Sequence, residues 1–232
     1  MITPNYIEAE AEIDKSIQEI KRRAPRYHAY FETLRPQTDA DFFRRGLFAF
    51  ASVHTTWEKN CDLFQALRDY PAWMGNDAEL TARIIASRAG LHQLRTKFIS
   101  EYAEKFWARP QYWRRLPDEY WGEYRKRIQS LNGLGPAKSS FFVELTYFHD
   151  SQTVCMDTHM LQQYGLKASG STTGPAYAAI EKHWLAVCAA RGVPPVTVRW
   201  CLWDMKQKKA DSSYWAHVLE TGRGVQLQME WA

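Results

Sequence analysis

The chain has 232 residues, 45% of them hydrophobic and 24% charged, with a net charge of +4. That composition suits a folded globular protein with a sizeable core and excludes low-complexity, collagen-like and strongly cationic chains. Cys61, Cys155, Cys188 and Cys201 are too dispersed for a CxxC metal knuckle or a dense disulfide framework, so they read as buried thiols and neither metal nor cofactor is expected.

The opening, MITPNYIEAEAEID, carries acids where a secretory or transit segment needs basic and apolar residues, and no apolar run approaches the roughly 18 residues of a membrane span. An intracellular protein without membrane attachment is expected. Ile13, Ile17 and Ile20 stripe a first helix after Pro4 and Asn5. Thr38 to Asp41 (TDAD) resembles a capping box before Phe42, Phe43 and Leu47, and Thr55, three residues before Glu58, suggests another ahead of Trp57, Cys61 and Phe64. Asn76 can cap a helix carrying Leu80 and Ile84, which Gly90 breaks. Leu91, Leu94, Phe98 and Tyr102 stripe the next, and a short helix follows Pro117 and Asp118 through Tyr124 and Ile128 to Leu131. Further helices are expected to about Tyr147 and near 175–190, 196–209 and 212–220. No strand pattern competes, so the class is all-α.

Charge is unevenly spread. Lys105 to Arg127 holds seven Lys or Arg against three Asp or Glu, interleaved with Phe106, Trp107, Tyr112, Trp113, Tyr120, Trp121 and Tyr124. The mixture suits phosphate contact and base stacking, and equally suits basic amphipathic helices with aromatic core faces.

The segment LNGLGPAKSS, residues 131–140, interrupts this helical chain with a Gly133-Leu134-Gly135 turn. Glycines allow positive φ and close backbone approach, Leu134 can plug the turn, and Pro136 suits the first turn of a new helix. The result is a helix-hairpin-helix. Its exposed amides, with Lys138 beside them, can grip a DNA phosphate, while a plain turn between helices is the plainer reading. Downstream, in TVCMDTHML, Asp157 precedes Thr158 at a helix start, where it can act as an N-cap or as a reactive carboxylate.

The pair LNGLGPAKSSFFVEL and VCMDTHML resembles the helix-hairpin-helix DNA glycosylase superfamily, whose pattern is LPGxGxxTA followed by VDTH. FAFASVHTTWEKN (Phe48 to Asn60) and AGLHQLRTKFISEYAEKF (Ala89 to Phe106) are similar to two upstream segments of the same superfamily. The resemblance implies an all-α, two-lobed fold: a six-helix lobe at 38–150, and a second lobe from 1–37 and 151–232 carrying the catalytic Asp157. It implies DNA as partner, a monomer, and a flipped-out base entering between the lobes, since a stacked nucleotide hides its glycosidic carbon. Asp157 takes the family's carboxylate position, where its charge can stabilise an oxocarbenium centre.

The departures matter as much. Ala137 stands where bifunctional members carry their Schiff-base lysine, and Lys138, about 100° further round the helix, is expected to face phosphate. Gln162 replaces an arginine often found after VDTH, and Cys188 and Cys201 cannot supply an iron–sulfur loop. His54 stands where relatives often place a DNA-inserting glutamine, or is an ordinary surface or core histidine. Phe48 and Phe50 offer no general acid. Phe141, Glu144, His159 and Trp203 are candidate pocket residues, each with a packing or solvent-facing alternative, and Asp204, Lys206, Lys208 and Lys209 are weaker candidates for the cleft or for phosphate. The reading is a monofunctional DNA N-glycosylase without lyase activity. One alternative is a transferase resembling the superfamily's phage thymine-hypermodification branch, substituting an activated 5-methyl position of thymine in DNA with a small amine or amino acid. A second is a DNA-binding module without catalysis.

Overall fold

The computed structural model describes residues 4–33, 35–166 and 175–207, and among these the chain is helical throughout, without a strand. Ten α-helices are present: α1 (Tyr6–Thr33), α2 (Asp39–Ala51), α3 (Trp57–Leu67), α4 (Asp77–Ala86), α5 (His92–Ala108), α6 (Trp121–Gln129), α7 (Pro136–Thr146), α8 (Thr158–Gln163), α9 (Pro175–Ala190) and α10 (Pro195–Gln207). Two short 3₁₀ turns, Tyr70–Ala72 and Pro110–Trp113, join them. The helix expected near 212–220, with Lys208 and Lys209, lies outside the described residues, as does the side chain of Asp204. No described helix is long and apolar enough to cross a membrane.

Local chemistry sets the boundaries. Thr38 and Asp41 form the expected capping box, Asp41 N donating to Thr38 Oγ1 at 3.1 Å and Thr38 N to Asp41 Oδ2 at 3.0 Å. Asn76 caps α4 as expected, accepting from Glu79 N. At α3 the cap is Thr56, which accepts from Lys59 N, and not Thr55; two adjacent threonines make the sequence signal ambiguous by one residue. The stripe on α5 holds at Tyr102 and, partly buried, at Phe98, but not at its first two positions. Leu91 and Leu94 are 47% and 51% exposed, while Arg95, Thr96, Ile99, Tyr102, Ala103 and Phe106 face the interior.

Helix α2 lies at the centre, packed against α3, α5 and α7, while α1 packs on α8, α9 and α10. One continuous buried cluster joins both sets, from Ala9 and Ile13 of α1 through Phe43 and Phe142 to Trp184 and Trp200. The second half of α2 is covered almost all round, from Arg45 to Ala51, which explains the apolar run 47–51, while Asp41 and Arg44 keep the first turns partly in solvent.

Gly46 is what lets α2 approach its neighbours. A Cβ there would lie 2.1 Å from Tyr102 Oη and 2.3 Å from the Phe142 ring. The Tyr102 hydroxyl is fixed by donating to Phe43 O at 3.1 Å, so it has little freedom to withdraw. Gly46→Ala should therefore destabilise the fold by about 1–3 kcal/mol in chemical denaturation; an unchanged midpoint would mean that α5 and α7 separate from α2 without cost.

Candidate active site

Between Thr153 and Asp157 the chain crosses the interior in neither helix nor strand, and its amides need partners. Val154 N donates to Glu181 Oε1 (2.8 Å), Cys155 N to Glu144 Oε1 (2.7 Å) and Met156 N to the Tyr177 hydroxyl (3.2 Å), which in turn donates to Val154 O (2.6 Å). Glu181 is further held by Arg125 at 2.5 Å, and Tyr177 contacts Ser140 Oγ at 3.1 Å. This strap delivers Asp157 to the start of α8. Asp157 Oδ1 accepts from His159 N and Met160 N at 3.0 and 3.1 Å, so it is an N-cap. Among the described residues nothing donates to Oδ2. Capping holds the carboxyl in place and leaves one oxygen for other work, so the two readings of Asp157 are compatible.

Asp157 lines a cavity of about 320 Å³ with Lys138, Phe141, Cys155, His159, Arg199 and Trp203, closed from the α3 side by Thr56, Trp57 and Asn60. Trp57 and Trp203 meet edge to face with ring centroids 5.2 Å apart. The expectation that Lys138 turns away from the cavity does not hold. In the register of α7, Ala137 packs partly buried against the core and is not among the cavity residues, while Lys138 enters the cavity with its Nζ 5.4 Å from the Phe141 ring centroid. Burial lowers the ammonium's pKa from its ordinary value, partly offset by Cys155 and Asp157. Burial pushes the Cys155 thiol up to about 12, which keeps it protonated.

Glu144 is neither solvent-facing nor a cavity residue. It is 0% exposed and sits behind the wall. Besides Cys155 N it receives Trp200 Nε1 at 3.0 Å and pairs with Arg199 at 3.1 Å. Burial pushes it up to about 7, against Arg199, Cys155 N and Trp200, which all favour the carboxylate.

The hairpin has the expected form with one correction. Gly133 adopts φ +93°, but Gly135, at φ −77° and ψ −179°, is extended and needs no glycine for its conformation. Gly133 is further required by Phe98, whose ring would lie 2.5 Å from a Cβ. Gly135 instead keeps the N-terminus of α7 open, with nothing within 4 Å of where a side chain would begin. Leu134 plugs the turn at 4% exposure.

His54 is exposed and left-handed, at φ +46°, on the turn after α2. It borders an apolar groove of about 230 Å³ formed with Val53, Leu91, Leu94, Phe98 and Gly133, while Ser52, Thr55 and Thr56 on the same turn face the cavity. Arg95 holds this turn. Its guanidinium donates to Phe50 O (3.3 Å), Ala51 O (3.1 Å), Val53 O (2.5 Å), Gly90 O (3.0 Å) and Ala89 O (3.5 Å), and burial lowers its pKa. The fork of five donors is suited to this set of helix-end carbonyls.

The basic, aromatic stretch from Lys105 to Arg127 is largely structural. Arg114 pairs with Asp39 (2.7 Å), Arg125 with Glu181, Lys126 with Glu123 (2.8 Å) and Arg127 with Glu119. Phe106, Trp113 and Tyr124 are buried, and only Tyr112 and Tyr120 of its rings are strongly exposed. Lys206 is exposed on α10. Sequence reasoning missed Arg95, Arg199, Glu181 and Tyr177, each a polar residue at an apolar helical position.

No protein-family model matches the chain, and no curated protein does. Solved structures do. The 8-oxoguanine DNA glycosylase of Thermotoga maritima superposes with a TM-score of 0.69 at 18% identity, covering 88% of this chain and 99% of that one. The 8-oxoguanine DNA glycosylase of Methanocaldococcus jannaschii gives 0.62 at 15% identity, over 87% and 89% of the two chains. The glycosylase/lyase of that organism, in complex with a 15mer DNA containing 8-oxoguanine, gives 0.67 at 13%, over 85% and 98%. The chain therefore has the all-α fold of the helix-hairpin-helix DNA glycosylases.

Two outcomes follow from this geometry. Arg95→Ala, which strands several buried carbonyls, should cost about 3 kcal/mol or more in thermal unfolding, and Arg95→Lys, which keeps the charge but loses the fork, should recover only part of it. Full stability in Arg95→Lys would show that charge alone suffices. Between about 4.5 and about 7 the folded chain retains a proton on Glu144 that the unfolded chain has released. This contribution to stability is complete below 4.5 and declines as pH rises through 7. Glu144→Gln should flatten that part of the profile in denaturation midpoints taken across pH, and an identical slope in both proteins would remove Glu144 as its source.

Proposed function

We propose that the chain is a DNA N-glycosylase acting on a flipped-out base, with Asp157 and Lys138 at the reacting sugar carbon. The observation that carries this reading is that the Lys138 amine and the Asp157 carboxylate line one cavity beside the hairpin. The glycosylases with the same fold, one of them held on DNA, support it. The open N-terminus of α7 at Gly135 offers backbone donors to a phosphate, and the groove beside His54 offers apolar surface to an unstacked duplex. On this reading, DNA runs past the hairpin and His54 and the base enters between the helices of 38–150 and those of the second lobe. Aromatic rings of Trp57, Phe141 and Trp203 suit a planar guest.

Cleavage breaks the C1′–N bond, the electron pair leaving with the base, and Asp157 stabilises the positive charge that develops at C1′. Hydrolysis without lyase chemistry follows from Ala137, where the family pattern has its lysine. The position of Lys138 supports amine attack instead. Desolvation raises the share of free amine, which bonds to C1′ as the bond to the base breaks and gives a proton to the departing base; the C1′–O4′ bond then breaks, O4′ takes a proton from water, and the linkage becomes an iminium.

Duplexes bearing 8-oxoguanine, uracil, alkylated purines and 5-substituted pyrimidines, the last also with amino acids present, separate the possibilities by product mass. The expected products are free base and, with borohydride, a covalent protein–DNA adduct absent from Lys138→Met. Asp157→Asn should bind DNA while turnover falls by orders of magnitude. Free base without an adduct would make the enzyme a hydrolytic glycosylase, an intact nucleoside of altered mass would make it a transferase, and full activity in Asp157→Asn would reduce Asp157 to a helix cap.

A further inference from the structure

Excision needs help at the leaving base as well as at the sugar. Before the His54 turn α2 offers no general acid, presenting Phe48 and Phe50, both buried and apolar. Glu58, the other carboxylate lining the cavity, is exposed. What the cavity does contain is a second cation. Arg199 projects from α10 into the wall, 4% exposed, with its guanidinium carbon 5.5 Å from the Phe141 ring centroid, so that Lys138 and Arg199 flank one aromatic platform. Glu144 grips one end of the guanidinium at 3.1 Å, and Arg199 Nε makes no hydrogen bond. Burial opposes the charge of Arg199, yet Glu144 first and Asp157 after it hold the guanidinium above its ordinary pKa. It stays cationic in a place where water cannot screen it.

We propose that Arg199 is a catalytic residue that takes up the negative charge building on the departing base. The inference rests on the excision reading and deepens it. As the C1′–N bond breaks, its electron pair moves into the base and out to a ring carbonyl; Arg199 stabilises that anion until a proton from the attacking amine or water neutralises it. Electrostatic stabilisation thus replaces general acid catalysis. The same arrangement assigns a substrate class. Arg199 is a donor only, so its side of the cavity favours a base that turns a carbonyl oxygen toward it and leaves as a delocalised lactam or imide anion.

The test varies the leaving group. Single-turnover excision is measured on duplexes carrying thymine, uracil and 5-fluorouracil, whose anions are progressively more stable, with wild type, Arg199→Lys and the double variant Arg199→Met/Glu144→Gln. The double variant avoids an unpaired buried carboxylate and keeps the experiment meaningful if Arg199→Met alone fails to fold. The double variant should slow thymine excision about 100-fold or more and 5-fluorouracil excision several-fold less, with Arg199→Lys between. Equal slowing across the three bases would overturn the assignment, since a merely structural role is blind to the leaving group. A second measurement does not need turnover: binding of free 5-nitrouracil, ionised at neutral pH, against uracil in the complex with abasic-site DNA. Wild type should prefer the anion, and the double variant should lose that preference. Charge-selective binding without excision of any of the three bases would support Arg199 as an anion site while counting against the excision reading. Binding that ignores charge in wild type would overturn the proposal itself.

Discussion

Three consecutive amides, those of Val154, Cys155 and Met156, have no helix or sheet to serve them, and the chain solves this with Glu181, Glu144 and the Tyr177 hydroxyl. Each partner comes from a helix that packs elsewhere for other reasons. Glu144 belongs to α7, the second helix of the hairpin, and Glu181 and Tyr177 belong to α9. Asp157 therefore inherits its position from two helices at once. Leaving a buried amide unsatisfied costs about 1–3 kcal/mol, so the strap has little freedom to shift while those helices stay packed. Through Glu144 the same hub reaches Arg199 and Trp200, tying the floor of the cavity to its wall.

A second anchor acts on the opposite side. Three non-glycine residues, His54, Arg88 and Leu91, are left-handed, and all lie on the two turns that Arg95 joins. Such conformations cost on the order of 1 kcal/mol each and persist where surrounding contacts over-determine them. Arg95, with carbonyls on both turns in its grasp, supplies those contacts. Two of these residues, His54 and Leu91, line the groove beside Gly133 together with Leu94.

Much of this was legible in the sequence because it is local. The capping box at Thr38, the cap at Asn76, the Gly133 turn and the start of α7 at Pro136 are each decided within four or five residues. Asp157 was legible for the same reason, as the residue before a helix. Lys138 was not. Whether a side chain two or three places after a glycine points into a cavity depends on how α7 is rotated, and Phe141, Phe142 and the contact at Gly46 set that rotation from afar. The stripe on α5 held at Tyr102 and missed at Leu91 and Leu94, because the groove holds these leucines on the solvent side while a buried arginine occupies the core side. Glu144, Glu181 and Arg199 were hidden similarly: charge in a helix reads as surface until its partner, tens of residues away, is known.

The indole pair of Trp57 and Trp203 stands apart from this scaffold. Each ring closes the cavity from a different helix, and the amides of the strap are held by other residues. Substitutions at Trp57 or Trp203 would reshape this opening while Glu144, Glu181 and Tyr177 keep Asp157 in place, so the mouth of the cavity can change width without disturbing the strap behind it.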